Sequence, residues 1–145
     1  MTVWQQERAL ARTTVGWGLG SVAAGLVLAV AGRSRPWWRA FGWQHAGWGA
    51  VDLVIAVVAE RLQDRRMQRH ADPDAASALE SERVTFHRVL LANVIADAGY
   101  AGLGIVLARH RRSRVAGAGA AVAMQGMFLL LHDAHYAWRT RRDPG

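Results

Sequence analysis

The sequence contains no cysteine, no lysine and only three prolines. Without cysteine the chain has no disulfide framework, no thiolate metal site and no thiol nucleophile, so redox chemistry gives no clue to its compartment. All 18 basic residues are arginine, which is typical of the codon usage of a GC-rich bacterial genome. The composition therefore predicts a bacterial source.

The arginines are concentrated at the ends of apolar segments. The net charge of +7 therefore fits contact with lipid headgroups better than contact with nucleic acid, which is not expected as a partner. The 145 residues allow one domain, 1–145, but 52% hydrophobic content would overfill a single soluble core. The mean hydropathy of +0.03 averages long apolar runs with short arginine-rich stretches.

Four apolar runs predict an all-α bundle of four transmembrane helices, at about residues 13–32, 40–60, 86–108 and 115–138. At 1.5 Å per residue, each run can cross a hydrocarbon core about 30 Å thick. Tryptophans lie near several run ends, where indole rings favour headgroups. The alternative for the first run is a cleaved signal peptide ending near Ala29-Val30-Ala31, but Glu7 precedes the run, which is unusual for a signal peptide.

A polar stretch, residues 61–85, separates the second and third runs. Asp72-Pro73 predicts a helix stop, and Ser77 with Glu80 predicts a capping box for the next helix. We therefore expect a charged helical hairpin that turns near residues 70–73. The alternative is a solvated linker with no role.

The arginine distribution predicts that both termini are cytoplasmic, in a bacterial inner membrane. Eleven arginines belong to the termini and the central stretch: Arg8, Arg12, Arg61, Arg65, Arg66, Arg69, Arg83, Arg88, Arg139, Arg141 and Arg142. Seven belong to the two short loops: Arg33, Arg35, Arg39, Arg109, Arg111, Arg112 and Arg114.

The two halves of the sequence resemble each other. Gln44 and Asp52 are eight residues apart, as are Gln125 and Asp133, and each pair is offset by 81 residues. Residues 16–20 also resemble residues 99–104. Two spans per half predict two tandem hairpins related by a pseudo-two-fold axis along the membrane normal.

Polar residues inside the runs form the candidate functional groups. Ionisable side chains in a bilayer are costly and usually face the bundle interior. Helical rise places one set near the bilayer centre, roughly 12–18 Å from the short-loop end, with Asn93 slightly deeper. This central set is Asp52, Asp97, Tyr100, Gln125 and Asn93, with His45 alone nearer the outer end. It predicts either a site that binds or conducts a proton or a small polar ligand, or hydrogen bonds that hold helices together.

A second set lies at the opposite boundary, roughly 25–32 Å from the short-loop end. It consists of Glu60, His87, His132, Asp133 and His135. Three imidazoles and two carboxylates suit Zn²⁺ or Fe²⁺, so a metal-dependent membrane enzyme is one hypothesis. Arginine-paired interfacial residues are the other. His45 and His132 are too far apart to clamp one haem, and no cofactor is identified.

Small residues add a prediction about packing. Gly16 and Gly20 form a GxxxG motif, and residues 117–121 are all glycine or alanine. Both patterns predict close helix packing, with oligomerisation as a secondary use.

Three strings carry a resemblance to a known family: residues 44–49, residues 93–100 and residues 125–133. They resemble an uncharacterised family of small bacterial four-helix membrane proteins. The resemblance implies a fold and a location, but no activity. The leading hypothesis is a binding or conducting module around Asp52, Asp97, Tyr100 and Gln125, in contact with the lipid bilayer. A non-catalytic assembly subunit, as a homo-oligomer or with a partner membrane protein, is the first alternative, and a metal-dependent enzyme is the second.

Overall fold

The computed structural model describes residues 1–142, which form four α-helices joined by short connections. The helices are α1 (Val3–Ala31), α2 (Pro36–Met67), α3 (Ala76–Ala108) and α4 (Ser113–Arg142). Residues 1–142 contain no β-strand. The prediction of an all-α fold with four helices is therefore confirmed, and α1, α2 and α3 extend well past the apolar runs at the end where the chain termini lie.

Local sequence explains where the helices begin. At the start of α1, the Thr2 hydroxyl accepts from the Gln5 backbone N–H and the Gln5 side chain accepts from the Thr2 N–H, which is a capping box. Pro36 is the first residue of α2, where its missing N–H has no cost.

The capping box predicted at Ser77 and Glu80 is wrong. The Asp72 side chain accepts from the Asp74 backbone N–H, 3.0 Å away, and so closes the turn before the helix. The chain then enters α3 at Ala76 after Ala75. Ser77 is therefore already helical, and Glu80 pairs with Arg83 one turn later.

The helices pack as two hairpins that meet through one interface. α1 packs along α2, α3 packs along α4, and α2 packs against α4. α1 touches α3 and α4 only slightly, and within residues 1–142 the backbones of α2 and α3 stay apart and meet only through long side chains such as Arg66 with Glu82 and Trp48 with Tyr100. This order matches the predicted tandem hairpins, while the pseudo-two-fold relation between them stays a prediction.

Glycines allow close helix approach at specific points. A Cβ on Gly25 would lie 2.5 Å from the Ala46 backbone nitrogen, and one on Gly104 would overlap the Ala123 backbone. The small-residue run of α4 behaves as predicted, because Gly119 faces the end of α3 and Ala121 is fully buried.

The packing role predicted for the Gly16 and Gly20 motif is wrong for contacts within the chain. A Cβ at either position would meet nothing within 4 Å, because both glycines lie on the exposed side of α1. Gly18, between them, is the residue that meets α2, at the Gly49 carbonyl oxygen.

The surface of the molecule is strongly apolar, whereas its interior is rich in small and polar side chains. Large aliphatic residues on every helix are exposed, including Val27 on α1, Val54 on α2, Ile95 on α3 and Leu131 on α4, each at least 63% exposed. Asp52, Gln125 and Ser21 are at most 2% exposed. This distribution is the opposite of the one expected for a protein folded in water.

Three helices are long and apolar enough to cross a membrane: α1, α3 and most of α4. α2 is equally long, but its apolar stretch is interrupted by Gln44, His45 and Asp52 and followed by Glu60. Of the four predicted spans, three therefore meet the criteria of length and apolarity. The span assigned to α2 stays a prediction.

At the end where the chain termini meet, side chains from all four helices hold the polar segments together. Trp4, Phe86, Leu90 and Tyr136 form an apolar cluster with Val3 and Ala137. The Thr140 hydroxyl on α4 donates to the Gln6 side chain on α1, 2.9 Å away, so the first and last helical turns lie side by side. The connection between α2 and α3 is also held, since the Trp4 indole donates to the Pro73 carbonyl oxygen.

Arg66 is the centre of an ion-pair network in the same region. Its guanidinium lies 2.6 Å from a Glu7 carboxylate oxygen and 3.1 Å from one of Glu82. His70 also contacts Glu82, at 3.3 Å. The network joins α1, α2 and α3 through side chains that are largely withdrawn from water, which argues against a linker without structural role.

Candidate functional site

Two central residues of the predicted set are in direct contact. The Gln125 amide on α4 donates to an Asp52 carboxylate oxygen on α2, and both side chains are almost fully buried. The Gln125 carbonyl oxygen accepts from the Trp17 indole of α1, at 2.9 Å. Gln125 therefore connects three helices through one side chain.

A second hydrogen-bonded group lies on the α3–α4 side. The Asn93 amide on α3 donates to Asp133 on α4, 2.9 Å away. The other oxygen of Asp133 lies 3.2 Å from Nδ1 of the neighbouring His132. The structure thus joins Asn93, which the sequence placed near the centre, to two residues placed at the boundary.

Asp97 lies between these two groups on α3. It is buried, one helical turn from Asn93, which bonds Asp133, and one turn from Ala101, whose backbone packs against Gly126 next to Gln125. One Asp97 oxygen, Oδ2, is buried and has no hydrogen-bond partner within residues 1–142. We refer to Asp52, Asp97, Asp133 and His132 as the carboxyl cluster.

Aromatic rings separate the carboxyl cluster from the outer half of the bundle. Trp17 stacks on Phe128 with ring centroids 3.9 Å apart, and Phe128 stacks on His132 at 5.3 Å. On its other side Trp17 meets His45 edge-on at 5.9 Å. His45 is buried, and the rings of Trp17 and Phe128 form the contacts that link it to His132.

The structure does not bring every candidate into this cluster. Tyr100 is 42% exposed and packs edge-on against Trp48, 5.0 Å between centroids. Glu60 and His135 are exposed, whereas Nδ1 of His87 is buried with no hydrogen-bond partner among the described residues. Helical phase alone had placed Tyr100 with Asp97, but its side chain packs against Trp48 of α2, although the α3 backbone at Tyr100 and Ala101 contacts α4 at Gly126.

The boundary residues do not converge on a metal position. Within the described part of the chain, no group of three or more histidine, aspartate or glutamate side chains is arranged to hold a metal ion. Of the five boundary candidates, only His132 and Asp133 are in contact with each other, and both belong to the carboxyl cluster.

Two groups of functional interest were missed at the sequence level. Trp17 was treated only as part of an apolar run, although an indole N–H at mid-span needs an acceptor. Glu7 and Arg66 were counted only as charges near a boundary, because nothing in their 59-residue separation indicates that they meet.

Comparison with known proteins gives a family but no activity. The model of a family of unknown function, DUF6992, matches residues 13–134. This confirms the resemblance to an uncharacterised family. No curated protein and no solved structure matches the chain.

Proposed function

The chain belongs to this family of unknown function, and we propose that it is a bacterial inner-membrane protein whose helices enclose a proton-binding cluster. The cluster consists of Asp52, Asp97, Asp133 and His132. All four helices cross the bilayer, and both termini face the cytoplasm.

The apolar surface supports the membrane location. Exposed valine, leucine and isoleucine side chains lie along α1, α2 and α3, and Met124, Met127 and Leu131 are exposed on α4. Burying these side chains in lipid removes a large unfavourable contact with water. The start of α1, the end of α4 and the connection between α2 and α3 lie at the same end, the end that carries most of the arginines. The positive-inside rule assigns that end to the cytoplasm.

The number of carboxyls in the carboxyl cluster supports proton binding. Three buried aspartates lie on three helices, tied into the bundle interior by the Gln125–Asp52 and Asn93–Asp133 hydrogen bonds, and among residues 1–142 His132 is the one histidine within hydrogen-bond distance of any of them. In a low-dielectric environment such a group does not stay fully ionised, so its members share protons. The buried, unpartnered Oδ2 of Asp97 is the observation that carries the proposal, because it is the atom with a free position for a proton.

The proposal is tested by infrared titration of the full chain in lipid nanodiscs. We expect a protonated-carboxyl stretch that is present at neutral pH, shifts in D2O and disappears reversibly as the pH is raised. Asp97→Asn is expected to remove or strongly shift this band. Asp64→Asn, at an exposed carboxylate on α2, is the matched control and is expected to leave it unchanged.

Direct hydrogen bonds between helices favour a second candidate function, a non-catalytic assembly subunit. The bonds from Gln125 to Asp52 and from Asn93 to Asp133 both cross helix interfaces. Bonds of this kind can fix helix packing without having any further role. A carboxyl band that does not titrate at any pH at which the protein stays folded would contradict proton binding and favour this candidate. So would a band that Asp97→Asn leaves unaltered.

A further inference from the structure

An open groove lies between α2 and α3 at the arginine-rich end of the molecule, with Leu10 and Ala11 of α1 also in its lining. Its volume is about 480 Å³, within the range of pockets that bind small molecules. The walls are mainly apolar and are formed by Ile55, Ala59, Leu62, Phe86, Val89 and Leu90. The groove runs from Asn93, nearer the middle of the bundle, to Arg65 and Arg69 at its mouth.

The mouth of the groove carries positive charge that the protein does not neutralise. The charge of Arg66 is neutralised by its ion pairs with Glu7 and Glu82. The side chains of Arg65 and Arg69 are exposed and form no ion pair or hydrogen bond with any residue of the described range 1–142. Glu60 is the one acidic lining residue not engaged by Arg66, and two arginines outweigh it.

We propose that this groove binds one anionic phospholipid, with an acyl chain between α2 and α3 and the phosphate at Arg65 and Arg69. Guanidinium groups bind phosphate oxygens through paired, charge-assisted hydrogen bonds. Basic pockets between transmembrane helices at the cytoplasmic face are suited to anionic headgroups, and each buried methylene adds to chain binding. The inference shares with the proposed function only the membrane location.

The headgroup contact is tested by native mass spectrometry of the full chain, titrated in detergent with phosphatidylglycerol or phosphatidylcholine of identical acyl chains. We expect about tenfold tighter binding of one phosphatidylglycerol than of phosphatidylcholine. The double variant Arg65→Gln/Arg69→Gln is expected to remove this preference. Arg112→Gln/Arg114→Gln, which changes two arginines at the opposite end of the bundle, is the matched control and is expected to keep it.

The chain contact is tested separately, with the arginines intact. Ala59→Trp fills the groove and is expected to abolish tight phosphatidylglycerol binding. Val58→Trp adds the same side chain at an exposed position that does not line the groove and is expected to have no effect. A melting temperature close to that of the parent chain shows that each variant is folded.

Three results would overturn the proposal. Equal binding of the two lipids would mean that the groove holds any amphiphile. A preference that survives Arg65→Gln/Arg69→Gln would place the headgroup elsewhere. Displacement of phosphatidylglycerol by inorganic phosphate, together with no effect of Ala59→Trp, would mean that the arginines bind a free anion and that the groove plays no part.

Discussion

The Gly104→Leu substitution is expected to destabilise the folded chain by about 3 kcal/mol, the upper end of the usual cost of overpacking. A side chain at Gly104 would overlap the backbone of Val122 and Ala123 on α4. Backbone atoms inside a helix cannot move aside as a flexible side chain can. The α3–α4 hairpin must therefore open, and the packing around Gln125 opens with it.

Gly102→Leu is the matched control for this prediction. Gly102 lies on the same helix, half a turn away, and a Cβ there would meet nothing within 4 Å. Its substitution is expected to change stability by no more than about 0.5 kcal/mol. The measurement is the unfolding of both variants in mixed micelles as the fraction of denaturing detergent is raised. Equal destabilisation by the two substitutions would contradict the helix packing described here.

Arg66→Met is expected to cost roughly 3 kcal/mol of folding free energy at neutral pH, the low end of the range for breaking a buried ion pair. The lower figure applies because the Arg66 side chain is 30% exposed. The substitution leaves Glu7 and Glu82 without their common cation. Arg65→Met, one residue away and unpaired within residues 1–142, is the control and is expected to change stability little.

The same network predicts the pH dependence of stability. Burial raises the pKa of Glu7, and the guanidinium of Arg66 offsets that effect only in part. Because the folded state then holds the Glu7 proton more tightly than the unfolded state, the contribution of Glu7 to the stability of the folded chain is most favourable at low pH. It is lost as the pH rises from the ordinary glutamate range through the raised pKa.

Without Arg66, the stability of the folded chain is expected to fall more steeply as the pH rises. Lowering the pH is therefore expected to restore part of the stability of Arg66→Met. Thermal unfolding between about pH 4 and pH 8 measures this difference, a range that brackets the ordinary glutamate pKa. Glu7→Gln in the Arg66→Met background is expected to restore part of the stability at neutral pH. If acid and Glu7→Gln both fail to rescue the variant, Arg66 acts through its packing and not through its charge.

Sequence reasoning predicted the elements of the fold well, because apolar run length and arginine-rich boundaries are local properties. The four helices and the turn after residue 67 follow from them. The helix starts were less predictable, since a Ser77–Glu80 pattern can cap a helix only if the chain is not already helical at Ser77. The Asx turn at Asp72 decided that question.

The candidate site was predicted in part. Asp52 and Gln125 were placed at similar depths by helical rise, and they are in contact. Depth alone separated Asn93 from Asp133, whereas the structure bonds them, because their depths differ by roughly 4.5 Å of helical rise, less than one turn. Tyr100 lies on the same helical stripe of α3 as Asp97, but its side chain packs against Trp48. A stripe that includes both residues is wider than the face of α3 that meets α4.

The carboxyl cluster can lie within a bilayer only if α2 crosses it. Because the chain has no cysteine, single cysteines at Val54 and Val58 on the exposed side of α2 can be spin-labelled without background. In nanodiscs we expect labels at both positions to collide readily with oxygen, which dissolves in lipid, and rarely with a water-soluble nickel complex. A label at Arg69 should show the reverse. Ready access of the nickel complex to Val54 would contradict the membrane location of α2, because the exposed side of α2 would then face water and not lipid.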